Sequence, residues 1–510
     1  MNDYEFGNFI MNMRIGHGFS QFQLGKLMGV SDKAVSKWET GKSKPRLNTC
    51  RRLAEVFGIS LEDLLEMNGQ PKPDDLSARK EALWKKARAK IYEVYGDKPP
   101  ISFLARLESE KIAIKQTDVI LRLDFVSQVA EAAREDHSLI IPRTWVSNFF
   151  AAWLLGATYA NPLPPFSHCP QCHRTVLHPE AKDGWDLPQQ KCACGAWMVN
   201  DGHNLPFDVF AHKDKKELHY DIDLNIPPAM TEKTEAMIRD YFQDICDPVP
   251  IVVDFPSYDA SSWDEFKTYL LVPPTASGPA GDRSKPIHVS DAEYMRIYWN
   301  YSKIHLLTSP VLGKTIDLQK NSYNSLLPIL QKPELLRRKW DSWKQPYLGQ
   351  EEDEFLAEQK KVYQGILDKS QNDRVSFTDL CQMQGMVHGS GIWQDNGEHL
   401  LESGTAKLED LAAFREDVWN YVLGKMTPAN SSGIGFPFKV MENVRKGLYT
   451  KKGMDEETRR ILLELGIPEW YIEHICKIQY QFPKGHSAAY IITDLILLSE
   501  CPDSSRSKSV

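Results

Sequence analysis

The sequence predicts a multidomain protein, with a small all-α head followed by a larger α+β body. Three observations carry this expectation. The chain has 510 residues, more than one hydrophobic core usually serves. Residues 6–66 are divided by glycine and serine into short helical stretches. Residues 161–225 change character, pairing a cysteine cluster with a strand-like alternating run. A hydrophobic content of 42% and a charged content of 25% are those of an ordinary globular protein. No apolar run is long enough to cross a membrane, and Met1-Asn-Asp-Tyr-Glu5 lacks the basic start and apolar stretch of a secretory signal. A cytoplasmic protein without a membrane partner is therefore predicted. The net charge of −8 excludes a globally basic nucleic-acid binder, so any such site must be a local patch.

The predicted order begins with the head (residues 1–66). A polar, proline-bearing linker (67–79) follows, then a body portion (80–225) that is helical up to about residue 160. Residues 226–349 read as mixed and residues 350–498 as helical, and the polar tail 499–510 is expected to be disordered.

Within the head, Ser20 is placed to cap the helix of residues 21–28, and Gly29-Val30 to turn the chain. Ser31 is placed to cap a second helix, Asp32-Lys-Ala-Val-Ser-Lys-Trp-Glu39, which Gly41 ends. Leu24, Leu27, Val30, Val35 and Trp38 are expected on the inner face. Lys33, Ser36 and Lys37 are expected to face outward, able to meet bases or phosphates. Two short helices across a glycine turn suit entry into a major groove. The segment resembles the lambda-repressor-like (Cro/cI, XRE) helix-turn-helix family. It does so through Ser20-Gln21, Leu24, Gly29-Val-Ser31, Val35, Trp38-Glu39, Gly41, Pro45, Leu53-Ala54 and Ile59-Ser-Leu61. The resemblance implies double-stranded DNA as partner. Gln21 would sit at a phosphate and residues 32–37 would read bases, with a homodimer on paired half-sites. Basic and acidic residues nearly balance in the head, which predicts modest non-specific affinity.

Nine cysteines are present, and four of them fall at Cys169, Cys172, Cys192 and Cys194. In a reducing compartment, clustering of this kind favours a metal over disulfides. Two short-spaced cysteine pairs can close a tetrahedral structural zinc site, with His168, His173 and His178 as nearby substitutes.

Leu218-His-Tyr-Asp-Ile-Asp-Leu-Asn-Ile226 alternates with period two, placing Asp221 and Asp223 side by side on one face. Such a pair could hold magnesium ions for in-line phosphoryl transfer. Alone the pattern is weak, but residues 80–225 resemble the palm region of the PolC-type DNA polymerase III alpha subunit. The resemblance runs through Arg106-Leu-Glu-Ser-Glu110, Asn161-Pro-Leu-Pro-Pro165, Cys169-Pro-Gln-Cys172, Asp186-Leu-Pro188, Asp201-Gly-His203 and Asp221-Ile-Asp-Leu-Asn225. It continues into the helical fingers through Phe438-Lys-Val-Met-Glu-Asn-Val-Arg-Lys-Gly447 and Phe482-Pro-Lys-Gly-His-Ser-Ala-Ala-Tyr490. It implies an α+β, palm-like body with a zinc knuckle and a fingers-like region. Asp221 and Asp223 would be catalytic carboxylates. Arg143, Arg445, Lys484, His486 and Tyr490 would be nucleotide contacts, and a replisome component would be a partner.

Several departures accompany the resemblance. The phosphate-cradling loop reads Pro142-Arg-Thr-Trp-Val-Ser-Asn148, keeping Arg143 but not the glycines. The third carboxylate of a two-metal site aligns with Pro310. Little of the middle palm is recognisable in 226–349. Phosphoryl transfer rests on positioning and electrostatics, so these losses predict a chemically inert body. The expectation is a regulator-type DNA-binding protein carrying vestigial nucleotide contacts. One alternative is an active DNA polymerase using Asp221 and Asp223 with magnesium. A second is a decoy or inhibitor of the host replisome.

Overall fold

A computed structural model describes residues 3–45, 47–68, 73–211, 220–254, 266–272, 286–290, 301–313, 376–427 and 435–499. The chain opens on α1 (Asp3–Gly16), α2 (Gln21–Met28), α3 (Asp32–Glu39), α4 (Leu47–Phe57) and α5 (Leu61–Asn68). The helices α6 (Pro73–Tyr95), α7 (Ile101–Ala113) and α8 (Val119–Glu135) follow, then β1 (Ile141–Pro142) and α9 (Phe150–Leu155). Next come β2 (Phe166–His168), β3 (Thr175–Leu177), β4 (Val199–Asp201) and the single turn α10 (Asp208–Ala211). They are followed by β5 (Ile222–Ile226), α11 (Thr231–Phe242), β6 (Asp247–Asp254), β7 (Phe266–Val272), β8 (Ile287–Ser290) and β9 (Ser302–Thr308). The C-terminal helices are α12 (Phe377–His388), α13 (Glu398–Glu402), α14 (Arg415–Lys425), α15 (Gly435–Arg445) and α16 (Leu448–Lys452). The last three are α17 (Glu456–Glu464), α18 (Glu469–Lys477) and α19 (Lys484–Ser499). Two compact units result: Met1–Lys85 with His219–Thr308, and Lys86–Leu218 with Ser309–Val510. No helix among the described residues is long and apolar enough to cross a membrane.

In the head, Phe6, Ile10, Leu24, Met28, Val35, Trp38, Leu53 and Leu64 close one apolar core. The core position expected of Leu27 belongs to Met28, and Leu27 is 52% exposed. The reason is helical period: Met28 lies four residues after buried Leu24, on the same face. The segment expected as a linker is also shorter than predicted, because α6 begins at Pro73. Proline suits a first helical turn, where its missing N–H has no partner to lose.

The same unit contains a mixed sheet in which β5, β9, β7, β6 and β8 are neighbours in that order. The β5–β9 and β6–β8 pairs are parallel, whereas β9–β7 and β7–β6 are antiparallel. Val249, Ile251, Leu270, Val272 and Val289 form an apolar cluster on these strands. Pro248 and Pro250 pair across to β7, and β8 joins β6 only from Ile251 onward. Proline is thus confined to the stretch where, among the described residues, β6 has one partner strand.

In the second unit, β3, β2 and β4 make a small antiparallel sheet in that order. The Asp186 carboxylate accepts the backbone N–H groups of Phe377 at 2.6 Å and Thr378 at 3.0 Å, tying the preceding loop to the start of α12. Burial pushes that carboxyl up to about 6.

Candidate functional sites

Each turn of the head's helix pair has a local cause. Ser20 Oγ accepts from Gln23 N at 3.1 Å, and Gln23 Oε1 accepts from Ser20 N at 2.8 Å, which is a complete capping box. Gly29 ends α2 with φ +68, and Ser31 Oγ accepts from Ala34 N at 3.2 Å to start α3. Gly25 is required by close approach, since a Cβ there would lie 2.9 Å from Val30 O. Lys33 and Lys37 are exposed and Ser36 is half-buried. Gln21 donates to Glu39 Oε2 at 2.7 Å, while Glu39 is buried against Arg14, whose Nη2 donates to the same oxygen at 3.1 Å. Arg14 also donates to Phe19 O at 2.8 Å, so one part-buried ion pair ties α1, the α1–α2 turn, α2 and α3 together. Sequence reasoning missed Arg14. Its signal was a lone arginine in the apolar α1.

In the second unit, the turn after β2 carries Cys169 and Cys172, and a bridge between Lys191 and Trp197 frames Cys192 and Cys194. The four cysteines gather with their sulfurs all within 4.8 Å of one another. Cys169 Sγ lies 3.4 Å from Cys194 Sγ, and Cys172 Sγ lies 3.5 Å from Cys192 Sγ. Each knuckle turns through a left-handed residue just past its second cysteine, His173 (φ 60) and Gly195 (φ 93). The N–H of Cys172 reaches Cys169 Sγ at 3.5 Å and helps hold that thiol down to about 6. This set could hold a metal ion. The alternative histidines are engaged elsewhere: His168 with Thr175 at 2.9 Å, His173 with Val94 O at 3.2 Å, and His178 with Ser167 at 3.0 Å.

The carboxylate strand lies in the first unit. Ile222, Leu224 and Ile226 of β5 are fully buried, and Asp221 and Asp223 take the alternate face. The parallel register with β9 sets Ile222 beside Ile304 and Asp223 beside His305. Lys303 is consequently Asp221's neighbour. Its backbone N–H donates to Asp221 Oδ1 at 2.8 Å, and its Nζ lies 3.1 Å from Asp221 Oδ2. Lys303 is buried and also donates to Tyr301 O at 3.0 Å. His305 Nε2 faces Asp223 Oδ1 at 3.9 Å, while its Nδ1 meets the Thr268 hydroxyl at 3.0 Å. Pro310 falls after β9, in the 3-10 turn Pro310–Gly313, so the residues beside the two aspartates on the paired strand are Lys303 and His305 instead. The cue was present in Ser302-Lys-Ile-His305, where polar residues two apart mirror Asp221 and Asp223. Among the described residues, the cysteine cluster is the one grouping of three or more metal-ligand side chains.

The residues expected at a nucleotide lie in the second unit. Lys484 is only 7% exposed, and its Nζ donates to His203 O at 3.1 Å. Its backbone N–H donates to the fully buried carboxylate of Glu416 at 2.9 Å, which also accepts from Asn148 Nδ2 at 2.9 Å. His486 is buried between the rings of Phe482, 4.1 Å away, and Tyr490, 4.9 Å away. Burial, with Arg143, His388 and Arg415 nearby, keeps its imidazole neutral far below the usual range. Arg445 donates to Glu442 at 2.8 Å. Burial pushes Glu442 up, but Arg445 and Lys446 pull it down to about 2. Arg143 is half-buried beside Trp145 and Val146, which pack inward. His203, read only as part of a motif, is a fully buried hub with Nδ1 2.9 Å from Asp183. Burial opposes its charged form, but Asp183 and Asp201 hold its pKa up.

Comparison with known proteins gives two similarities. The helix-turn-helix family matches residues 10–64. Over most of the chain the similarity is to proteins named DNA polymerase III PolC-type. That of Thermotoga petrophila is 26% identical over 464 residues, covering 79% of this chain and 32% of its own length. That of Clostridium perfringens is 25% identical over 507 residues, covering 87% and 34%. That of Lactococcus lactis is 25% identical over 459 residues, covering 80% and 28%. The chain spans about a third of the length of the curated relatives it matches. The molecule thus joins a helix-turn-helix domain to a region similar to part of the PolC-type DNA polymerase III proteins.

Proposed function

We propose that this chain binds duplex DNA sequence-specifically through residues 31–37, as a regulator, and that its PolC-like body does not extend primers. The capped α2–α3 pair carries the reading: both serine caps and the glycine turn are in place, with Lys33 and Lys37 exposed on α3. Lys33, Ser36 and Lys37 read base edges beside the capping Ser31, while Gln21 sits at a phosphate. Because regulators of this kind act on paired half-sites, a homodimer in the cytoplasm is the expected form.

A silent body is supported by what its motif residues touch. Lys484 and His486 are turned inward, and Arg445 is held by Glu442. The nucleotide contacts are vestigial on this reading. The cysteine cluster holds structural zinc, supported by four thiol ligands and two left-handed knuckle turns. The body's place is in the fold and in contacts to a replisome partner.

The test is selection of bound sequences from random duplex DNA by the full chain, run beside primer extension with magnesium or manganese. One enriched motif is expected, with affinity lowered by about 1–3 kcal/mol in Lys37→Ala. No enrichment, together with primer extension lost in Asp223→Ala, would replace this reading with that of a polymerase.

A further inference from the structure

We infer that the Lys303 ammonium is a built-in cation of the carboxylate strand, so that Asp221 and Asp223 take up no divalent ion. This deepens the reading of the body as chemically silent and rests on it. The PolC resemblance implies a magnesium site on these two aspartates, and the residues beside them do not fit one. A two-metal site draws its charge balance from several carboxylates facing a shared gap. On β9 the matching positions carry Lys303 and His305. Both charge and space argue the same way.

Lys303 Nζ already sits at ligand-like distance from Asp221 Oδ2, 3.1 Å, while the other oxygen of Asp221 accepts a backbone N–H at 2.8 Å. The lysine side chain is 1% exposed, against 22% for Asp221, so the ammonium lies on the protein side of the pair. A dication arriving at Asp221 would meet a fixed unit charge a few ångströms away, in surroundings that screen poorly. Expelling the ammonium would break an ion pair whose lysine side is buried, which is costly. His305 gives no relief, because its Nδ1 is engaged by Thr268 and its Nε2 faces Asp223. Sheet register enforces the arrangement, since β9 lies between β5 and β7 and cannot slip without moving every pair.

The test is a manganese titration of the full-length, zinc-replete chain, with free Mn2+ read by electron paramagnetic resonance. Wild type and Asp221→Asn should give the same curve. Lys303→Met, which keeps the length of the side chain without its charge, should gain a saturable site about tenfold tighter or more. Adding Asp223→Asn should remove that gain. Wild-type uptake that Asp221→Asn or Asp223→Asn abolishes overturns the inference, and so does a folded Lys303→Met that gains nothing. If Lys303→Met fails to fold, the wild-type and Asp221→Asn curves decide alone. Selection of bound DNA on the same preparations keeps the two readings apart. Manganese uptake with intact sequence-specific binding overturns only this inference. Loss of that binding with a manganese-silent strand overturns only the proposed regulator function.

Discussion

Lysines 33 and 37 of the head and lysines 303 and 484 of the body occupy motif-bearing elements, yet their surroundings are opposite. The head's pair is exposed on α3, whereas the body's pair is buried, each on an oxygen of the same chain. The contrast separates two things that a motif mixes: where a residue sits, and whether its charge is available to a ligand. Position follows from local pattern. Availability is set by whichever neighbour the fold brings alongside.

The largest expected effect would sharpen this contrast by attacking the body alone. Zinc removal with a strong chelator, or Cys169→Ser, should melt the β2–β4 knuckle. The loss is on the order of 10 kcal/mol of metal-linked folding free energy. Circular dichroism and released zinc would report it, and operator binding should persist.

Next is the head's own part-buried pair. Glu39→Ala leaves the half-buried Arg14 without its carboxylate and should cost about 1–3 kcal/mol. A head that keeps its melting temperature and its DNA affinity would break the comparison, because it would mean that the outward lysines need no internal scaffold.

A smaller effect concerns pH. His203 holds its proton more tightly folded than unfolded, so its contribution is complete below the unfolded imidazole pKa of about 6.5. That contribution is lost as pH rises through the higher folded value. His474 and His168, held by burial down to about 3 and about 4, act in the opposite sense and weaken the fold as pH falls below neutrality. The stability difference between wild type and His203→Gln isolates the first group. It should be larger in mild acid than in alkali, and a flat difference would remove His203 from the account. The smallest effect is Ser20→Ala, which deletes one capping box and should cost about 1 kcal/mol in urea unfolding.

The head was more legible than the body for a physical reason. Ser20, Gly29 and Ser31 act within a few residues of themselves, so their caps and turn could be read from adjacent letters. Leu27 went astray only by one helical position, with Met28 taking its place. The alternation of Ile222, Leu224 and Ile226 was legible in the same way, as was the gathering of four cysteines. Which strand lies beside Asp221 was not, because Lys303 is far along the chain and joins it only through sheet pairing. Pro310 aligns with the position of a third carboxylate, but alignment sees order and not register. The inward turn of Lys484 likewise depends on Glu416 and His203, two distant partners.

The prolines of β6 carry a consequence for self-association. An edge strand invites another chain by offering a row of backbone donors. Pro248, which is buried, and Pro250 pair with β7 but have no N–H to offer on the other side, along the stretch that, among the described residues, β8 does not reach. That length of edge is a poor template for a second molecule. Replacing both prolines with valine would therefore be felt less in the folded monomer than in the tendency of concentrated protein to grow intermolecular sheets.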